Sequence, residues 1–410
     1  MEFISQSLVT ERVTLYYPIL LLMSLLLLTF KYFSSSSTVP PGPKRWPIIG
    51  NILQMGEKPH LTLTRYAKIY GPLISVRLGM QTLVVGSSKA AAEEILRTHD
   101  RVLSGRYVPR AFGGNRPEID TISMGWTSEC NGRWTYLRTI CRSELFSGKA
   151  LESQACLREK KVMEMVSFLR KKEGKVVKIG EVVFNTVFNV LSNVLVSRDF
   201  VSLEEEMTNG GIKELIRSGM EAASAINISD FYPFLAIFDL QRLKKKVEEV
   251  TLQLFSMWDP IIKERRERRE EDATKKQDFL DAMLLNAFTD DQINQMLMEL
   301  ITAGTDTSTS TVEWTMAELI KNPKYMKGVQ EELEREIHNK LVQESDLSKL
   351  HFLQACVKEA LRLHPPAPFL LPRRAPKSTE VDPNHMDMSD KFGVTLQKKE
   401  PLFLIPKLRM

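Results

Sequence analysis

The stretch LITAGTDTSTSTVEW, from Leu300 to Trp314, lies at the centre of a segment that the sequence predicts to be one long helix. It contains seven serine and threonine residues and one glycine, and all of these form helices less readily than alanine or leucine. The predicted helix begins near Asp290 or Asp291 and ends before Pro323. The low helix propensity at the centre of such a long helix therefore calls for a structural or functional explanation.

One face of this helix changes character along its length, at 100° per residue. The face is apolar at first, small in the middle and hydroxylic at the end, in the order Met296, Leu300, Ala303, Gly304, Thr307 and Thr311. Two interpretations stay open from these residues alone. In one, the helix packs closely on another helix and its threonine hydroxyls bond to its own carbonyl groups. In the other, the helix opens locally over a small ligand, and Asp306 and Thr307 supply exchangeable protons.

Length and charge set only loose bounds on the protein. With 410 residues, 43% of them hydrophobic, the chain can bury a large core in one domain or in two to three. Its net charge of +5 is too small to indicate nucleic-acid binding, and we expect none. The charged run from Lys263 to Lys276 fits a solvated helix end and loop better than a nucleic-acid patch.

Cysteine usage points to a reducing compartment. The chain has four cysteines and no C-x-x-C pair, so neither a disulfide framework nor a zinc site is predicted. They are Cys130, Cys141, Cys156 and Cys356. The sequence predicts no metal ligand among them.

The N-terminus carries an uncharged apolar segment from Leu15 to Phe30. Counted through Phe33, with Lys31 reaching to the interface, it spans roughly 28 Å as a helix, close to the ~30 Å hydrocarbon core. A cleaved signal peptide is the alternative, but no A-x-A cleavage pattern follows. We predict a retained anchor over residues 1–33, and the basic residues after it place the main body in the cytosol.

The rest of the chain is predicted to be mainly α with a small β portion. A stiff Ser/Pro-rich hinge covers residues 34–52, because its prolines fix backbone angles and remove donors. Residues 73–87 alternate apolar and polar side chains like a hairpin, and most later segments read as helices. We assign residues 53–381 to one catalytic domain and residues 382–410 to its C-terminal tail hairpin.

Several motifs together resemble the cytochrome P450 family of haem-thiolate monooxygenases. PPGPKRWPIIGN resembles the proline-rich hinge, WTYLR the W-x-x-x-R motif with Trp134 and Arg138, and AGTDTS the oxygen-binding signature of the central helix. KEALRLHPPAP resembles the E-x-x-R segment with Glu359 and Arg362. E-x-x-R occurs four times and is weak alone, since any helix can place such a pair one turn apart. The order and spacing of the motifs carry the resemblance.

The resemblance implies a fold and a cofactor. The fold is the cytochrome P450 fold, mainly α with a small β portion, preceded by one transmembrane helix. Trp134, Arg138 and Arg373 are implied to contact the haem propionates. Ala303 and Gly304 leave room for dioxygen, while Asp306 and Thr307 relay protons. Electrons are expected from an NADPH-dependent reductase, at the endoplasmic reticulum membrane.

The finer resemblance is to plant microsomal members that hydroxylate or couple benzylisoquinoline-type alkaloids or hydroxylate monoterpenols. It implies a small apolar substrate that is lined by residues 108–126, 300–303, 369–371 and 392–394. The lining residues that we single out are Leu300, Phe369, Leu370 and Leu371. Mostly apolar residues such as these are also what a plain core contains.

One part of the family pattern is missing. The family's F-x-x-G-x-R-x-C loop, which carries the thiolate ligand of the iron, and the preceding segment like P-E-R-F are both absent from the sequence. The gap is internal, after Val381, and suits a skipped exon, a misjoined gene model or a decayed gene. The fold is therefore expected to be incomplete on the proximal side of the haem.

This gap leads to three expectations. None of the four cysteines replaces the missing ligand, and lone histidines near turns are more often structural or solvated than ligands; His338, His351, His364 and His385 are of this kind. The ion pair of Glu359 and Arg362 is implied to be buried with an arginine of the missing segment, and breaking such a network costs about 3–5 kcal/mol. The chain is then an inactive monooxygenase, or a membrane-anchored protein without catalysis.

Overall fold

The computed structural model describes residues 23–24, 39–113, 118–204, 211–271, 278–338, 340–374 and 403–404. The predicted anchor lies outside these residues, apart from Met23 and Ser24, which are helical. The junction after Val381 and the predicted lining segment 392–394 also lie outside them. The described chain forms two compact units, divided between Thr98 and His99.

The first unit contains a β-hairpin and a few helices. Its elements are α1 (Ile52–Met55), α2 (Pro59–Tyr70), β1 (Leu73–Leu78), β2 (Gln81–Gly86) and α3 (Lys89–Glu93), which continues as a π-helical turn over Glu94–Thr98. The two strands are antiparallel, with Leu73 opposite Gly86 and Leu78 opposite Gln81. The hairpin that the alternating pattern predicts is confirmed.

The proline-rich segment packs directly onto this hairpin. The Ser75 hydroxyl donates to the Pro40 carbonyl at 2.6 Å, and the Ser75 N–H donates to the Pro41 carbonyl at 2.9 Å. A Cβ on Gly42 would lie 1.9 Å from the Ser75 oxygen, so only glycine allows this approach. From Pro40 onward the segment is therefore part of the folded unit.

The second unit is almost entirely helical. Its helices are α4 (Asp100–Leu103), α5 (Ile119–Ile122), α6 (Gly132–Glu144), α7 (Gly148–Ser153), α8 (Ala155–Lys171), α9 (Ile179–Val196), α10 (Ile212–Ser224), α11 (Ile228–Phe231), α12 (Leu243–Glu271), α13 (Phe279–Leu285), α14 (Asp290–Lys321), α15 (Pro323–Ile337) and α16 (His351–Leu363). Short 3₁₀ turns cover Arg110–Phe112, Pro233–Phe238 and Glu344–Lys349. Its strands are β3 (Val177–Lys178) and β4 (Phe403–Leu404).

Helix α14 has the bounds that the sequence predicts. The Thr289 side chain accepts the Gln292 N–H, and the Gln292 side chain accepts the Thr289 N–H, which together form a capping box. Asp290 and Asp291 lie in the first turn, where the positive end of the helix dipole favours carboxylates. Pro323 begins the next helix and prevents α14 from continuing.

The core of this unit surrounds α14 and its close neighbour α9. Large side chains of α9, α12 and α14 fill it, among them Phe184, Phe188, Trp258 and Leu297, each at most 1% exposed. Within the described residues, α9 alone is long and apolar enough to cross a membrane by length and composition, and 67% of it is buried in the protein. Its burial assigns it to the core.

The C-terminal residues return to the body of this unit. Strand β4 pairs with β3 in an antiparallel register, with Val177 opposite Leu404 and Lys178 opposite Phe403. Val177 is buried in a small apolar cluster with α9 residues. Strand β4 thus belongs to the same unit as α14.

Candidate functional site

The centre of α14 has one packed side and one open side. Thr305, Thr309 and Ser310 are buried, at no more than 5% exposure. Ala303 and Ser308, on the opposite side, are exposed, and Thr307 is half-buried. Of the residues that the sequence places on one face, Ala303, Thr307 and Thr311 therefore lie where a ligand can reach them. The resemblance predicts its oxygen-binding site on this face.

The helix stays continuous through this region, and its hydroxyls are satisfied within it. Thr307 Oγ1 donates to the Ala303 carbonyl and Thr311 Oγ1 to the Thr307 carbonyl, both at 2.8 Å. Thr305 and Thr309 bond one turn back in the same way, also at 2.8 Å. Backbone opening is not seen at this position, so the hydroxyls follow the packing interpretation.

Gly304 and Ala303 are small for different reasons. A Cβ on Gly304 would lie 2.7 Å from Leu191 Cδ1, so this glycine lets α9 approach α14. Ala303 is exposed and leaves the open side of the helix uncrowded. Of the two residues predicted to make room for dioxygen, only Ala303 lies on the open face.

Asp306 lies on the packed side of α14 and is only 4% exposed. Burial lowers the pKa of Lys213 on α10, and the negative charges of Glu181, Glu313, Glu214 and Asp306 oppose that shift. Asp306 is therefore one of four carboxylates whose charges act on Lys213, while Thr307 is half-buried on the open side.

Trp134 and Arg138 lie one turn apart on α6 and contact each other. The Arg138 guanidinium carbon lies 5.3 Å from the centroid of the Trp134 ring, a cation–π contact. The indole N–H donates to the Met124 carbonyl at 2.9 Å. Arg138 is exposed and Trp134 is half-buried. The predicted pair is thus formed, with its indole donor bonded to the chain itself.

Two further arginines, Arg106 and Arg373, lie close enough to Arg138 for the charges of all three to interact. Arg373 donates to the Asp100 carboxylate at 2.8 Å and to the Leu103 carbonyl at 3.2 Å. A β-bridge joins its backbone to Arg106. Burial, then the positive charges of Arg373 and Arg138, hold the pKa of Arg106 below its usual value, against the opposing effects of Cys130 and Asp100.

Such a cluster of positive charge suits a bound anion, because an anion relieves the repulsion among the guanidinium groups. Arg138 and Arg373 were predicted from their motifs, whereas Arg106 was missed. A single arginine between Gly105 and Tyr107 carries no sequence pattern. Only the pairing of the two segments brings it to the cluster.

Two of the predicted lining segments meet at Gly125. A Cβ on Gly125 would lie 3.8 Å from Leu371 Cδ1 and 3.6 Å from a carboxylate oxygen of Glu299 on α14. Leu300, next to Glu299, is partly buried against the main core, and Phe369 is half-buried. Leu370 and Leu371 are 47% and 36% exposed. Gly125 therefore lies close both to Leu371 and to α14 beside Leu300.

The Glu359–Arg362 pair forms as predicted, but it is not buried. Two hydrogen bonds of 2.7 Å join the guanidinium and the carboxylate. The side chains remain 65% exposed for Arg362 and 55% exposed for Glu359. The expectation of a buried pair is wrong here, because both side chains lie largely in solvent. The energetic cost expected for a broken buried network does not apply to an exposed pair.

The four thiols all lie among the described residues, and none is placed as an iron ligand. Cys141 is 2% exposed, contacts Met296 Sδ at 3.8 Å, and burial raises its pKa to about 12. Cys130 Sγ donates to the Ser104 carbonyl at 3.5 Å. Cys156 is exposed on α8, and burial raises the pKa of Cys356 on α16.

The fold and site thus define a mainly helical protein with a cluster of three arginines, the anion cradle (Arg106, Arg138 and Arg373), and with a small, hydroxylic face on α14. A model of the cytochrome P450 family matches residues 40–397. The chain belongs to the cytochrome P450 family. It is 45% identical over 365 residues to (S)-N-methylcoclaurine 3'-hydroxylase isozyme 1 of Papaver somniferum, which covers 88% of this chain and 75% of that relative.

Two further relatives show the range of similarity. Corytuberine synthase of Coptis japonica is 44% identical over 365 residues, 88% of this chain and 73% of the relative. Cytochrome P450 76C4 of Arabidopsis thaliana is 40% identical over 362 residues, 84% of this chain and 70% of the relative. The similarity confirms the resemblance to plant members of the family.

The family implies haem, and the residues present fit it only in part. The arginine cluster suits the two carboxylates of a haem, and the exposed Ala303 leaves space beside α14. The proximal ligand does not fit: Cys141 is a buried, protonated thiol, and the described residues contain no cluster of three or more His, Cys, Asp or Glu side chains that could hold a metal. This chain therefore has part of a haem site without the sulfur ligand.

Proposed function

We propose that this chain derives from a haem-dependent monooxygenase that hydroxylates or couples a small plant metabolite, an alkaloid or a terpenoid, and that the chain itself does not turn over. The observation that carries the proposal is the position of the four cysteine thiols. All four are accounted for at positions other than a ligand loop, and the F-x-x-G-x-R-x-C motif is absent.

The retained residues would have clear roles in such an ancestor. Haem held through a thiolate would supply the activation of dioxygen. Arg106, Arg138 and Arg373 would hold its carboxylates, and Ala303 would keep the face of α14 uncrowded. Thr307 holds a proton on Oγ1, which it donates to the Ala303 carbonyl at 2.8 Å and can redirect toward a ligand by rotating. Asp306 stays on the packed side of the helix.

A reductase and a membrane are the partners of this proposal. Electron delivery from an NADPH-dependent reductase is an inference from the family. The apolar segment Leu15–Phe30 supports a single-pass anchor in the endoplasmic reticulum with the main body in the cytosol. Contact with lipid also agrees with the exposed side chains of the 3₁₀ turn Pro233–Phe238, of which Ile237 is 90% and Phe238 is 68% exposed.

The test is a spectrum of the whole chain. Membranes that contain it are reduced under carbon monoxide, and we expect no red-shifted Soret band of thiolate-bound haem. The control is a chimera that carries the ligand loop of the Papaver somniferum relative after Val381, in which the band is expected. A red-shifted band from the unmodified chain, lost in one of the four Cys→Ser variants, would refute the proposal.

A non-catalytic isoform or a misjoined gene model is the competing account of the same gap. Sequencing the transcript across the junction of Val381 and Asp382 distinguishes them. A continuous transcript through this junction supports a natural, non-catalytic chain. A transcript that contains the missing loop shows that the junction is artificial.

A further inference from the structure

One carboxylate of α14 holds the connection between α5 and α6. Glu299 Oε2 accepts the backbone N–H groups of Met124 and Gly125, both at 2.9 Å. Its Oε1 accepts the Ser123 hydroxyl and, at 2.8 Å, the Gln295 side-chain amide. Because both oxygens already accept two donors each, the carboxylate is fully engaged by the protein.

The residues that Glu299 holds reach the rest of the site. The Ser123 hydroxyl oxygen accepts the Trp126 N–H at 2.7 Å. The Trp126 ring stacks on Phe112 with centroids 4.7 Å apart. The Met124 carbonyl accepts the indole N–H of Trp134, the residue that stacks on a cradle arginine. The Glu299 carboxylate therefore helps to fix residues 123–126 and, through the Met124 carbonyl, Trp134 of the W-x-x-x-R pair.

A buried carboxylate on α11 holds the connection between α4 and α5. Asp230 on α11 is 7% exposed and accepts the Arg110 N–H at 2.8 Å. Burial raises its pKa, and hydrogen bonds from the Arg110 backbone and the Tyr107 side chain partly oppose that shift. The 3₁₀ turn Arg110–Phe112 is therefore joined to α11.

Backbone amides bond to a carboxylate more strongly than to a neutral acceptor. A glutamine or asparagine of the same shape keeps one oxygen but presents an NH₂ group, which cannot accept a hydrogen bond. If the charge and the second acceptor are what hold the loop, an isosteric amide releases it. If the shape of the side chain is enough, the amide leaves the loop unchanged.

We propose that Glu299 and Asp230 are positioning residues that fix residues 107–112 and 123–126 beside the open face of α14, and so set the shape of the apolar lining. The identification of these residues as substrate lining rests on the proposed function. Their positioning by two carboxylates does not, because it concerns backbone hydrogen bonds of the chain alone.

Hydrogen–deuterium exchange of the full chain in detergent tests this proposal. In Glu299→Gln, we expect the amides of Met124 and Gly125 to exchange at least about tenfold faster, since each loses a charge-assisted bond. The charge-matched control is Glu318→Gln, on the same helix but bonded to His364, which leaves these two amides unchanged.

The hydrogen bond from the Arg110 amide to Asp230 is tested by the same exchange measurement. Asp230→Asn is expected to speed exchange at Arg110 by a similar factor and to leave Met124 and Gly125 protected. If the bonded amides exchange at an unchanged rate in Glu299→Gln or in Asp230→Asn, the proposal is overturned for that carboxylate. If Glu299→Gln does not fold, Glu299→Asp withdraws the oxygens by one methylene and gives the same readout. Neither measurement needs haem, so an error in the proposed function leaves the result interpretable.

Discussion

A hydroxyl group in a helix can bond to the chain or to a ligand, and neighbouring threonines of α14 differ in whether a ligand could reach them. Thr305 and Thr309 are buried and bonded one turn back. Thr307 makes the same bond but is half-buried on the open side. The sequence identifies the run of hydroxyls, but which of them can serve a ligand depends on which neighbours cover the helix.

The buried thiol of Cys141 gives a prediction at this scale. Because its pKa is raised from 9.0 to about 12, the folded state keeps the proton that the unfolded state loses above pH 9. Its contribution to stability is therefore complete below pH 9 and is lost as the pH rises toward 12. We expect the free energy of unfolding of Cys141→Ala to fall less over this interval than that of the parent chain.

Thiol alkylation checks the same assignment independently. At pH 8, iodoacetamide is expected to modify the exposed Cys156 in the folded chain and to modify Cys141 only after denaturation. Rapid labelling of Cys141 in the folded state would contradict both its burial and its raised pKa.

Two arginines are expected to differ sharply in their effect on stability. Arg265 is 7% exposed and bonded to Asp278 and Asp281, which are each 1% exposed. Arg265→Ala strands buried carboxylates and should cost about 3–5 kcal/mol in urea denaturation. Arg362→Ala removes an exposed pair and should leave the urea midpoint unchanged. A large loss for Arg362→Ala would mean that its surroundings are buried after all.

At the scale of elements, α9 and α14 determine each other's composition. Gly304 is needed where Leu191 crosses it, and a Cβ on Gly180 of α9 would lie 2.9 Å from the Glu313 carboxylate. Small residues thus occur on both helices where the other approaches. The glycine that suggested an oxygen site is explained by helix packing, and the alanine beside it by the open face.

Paired substitutions at these neighbouring positions test that explanation. Gly304→Val places branched carbons against Leu191 and should destabilise the chain by about 1–3 kcal/mol. Ala303→Val adds the same kind of side chain to the exposed side and should cost no more than about 0.7 kcal/mol, the difference in helix propensity. Equal losses for the two variants, measured by urea denaturation, would show that Gly304 is not a packing contact.

At the scale of the whole molecule, the chain belongs to the cytochrome P450 family, and its sequence contains no F-x-x-G-x-R-x-C motif. The C-terminal strand β4 pairs with β3 beside α9. Phe352, Leu361 and Leu363 on α16 are exposed apolar side chains that a covering segment could bury.

Adding the ligand loop of the relative should change how much the Glu359–Arg362 pair on α16 contributes to the free energy of unfolding. In the chimera with the relative's loop after Val381, we expect Arg362→Ala to cost about 3–5 kcal/mol, because the pair then joins a buried network. In the unmodified chain the same substitution should have no measurable effect. Identical small effects in both backgrounds would show that the loop does not cover this face.

The sequence by itself determined the elements whose signals are local. The capping box at Thr289 and the proline at 323 fix the ends of α14, and the alternation over residues 73–87 fixes the hairpin. The family motifs predicted Trp134, Arg138 and Arg373, and the missing cysteine motif could be read without a structure. Each of these features is specified by side chains that lie within a few residues of one another in the sequence.

Only the tertiary structure decided how distant segments meet. It brought Arg106 to Arg138 and Arg373, buried Asp306 on the packed side of α14, and placed the Glu299 carboxylate on the amides of Met124 and Gly125. It also left the Glu359–Arg362 pair in solvent. Burial and long-range hydrogen bonds depend on the packing of residues far apart in the chain, which no local pattern specifies.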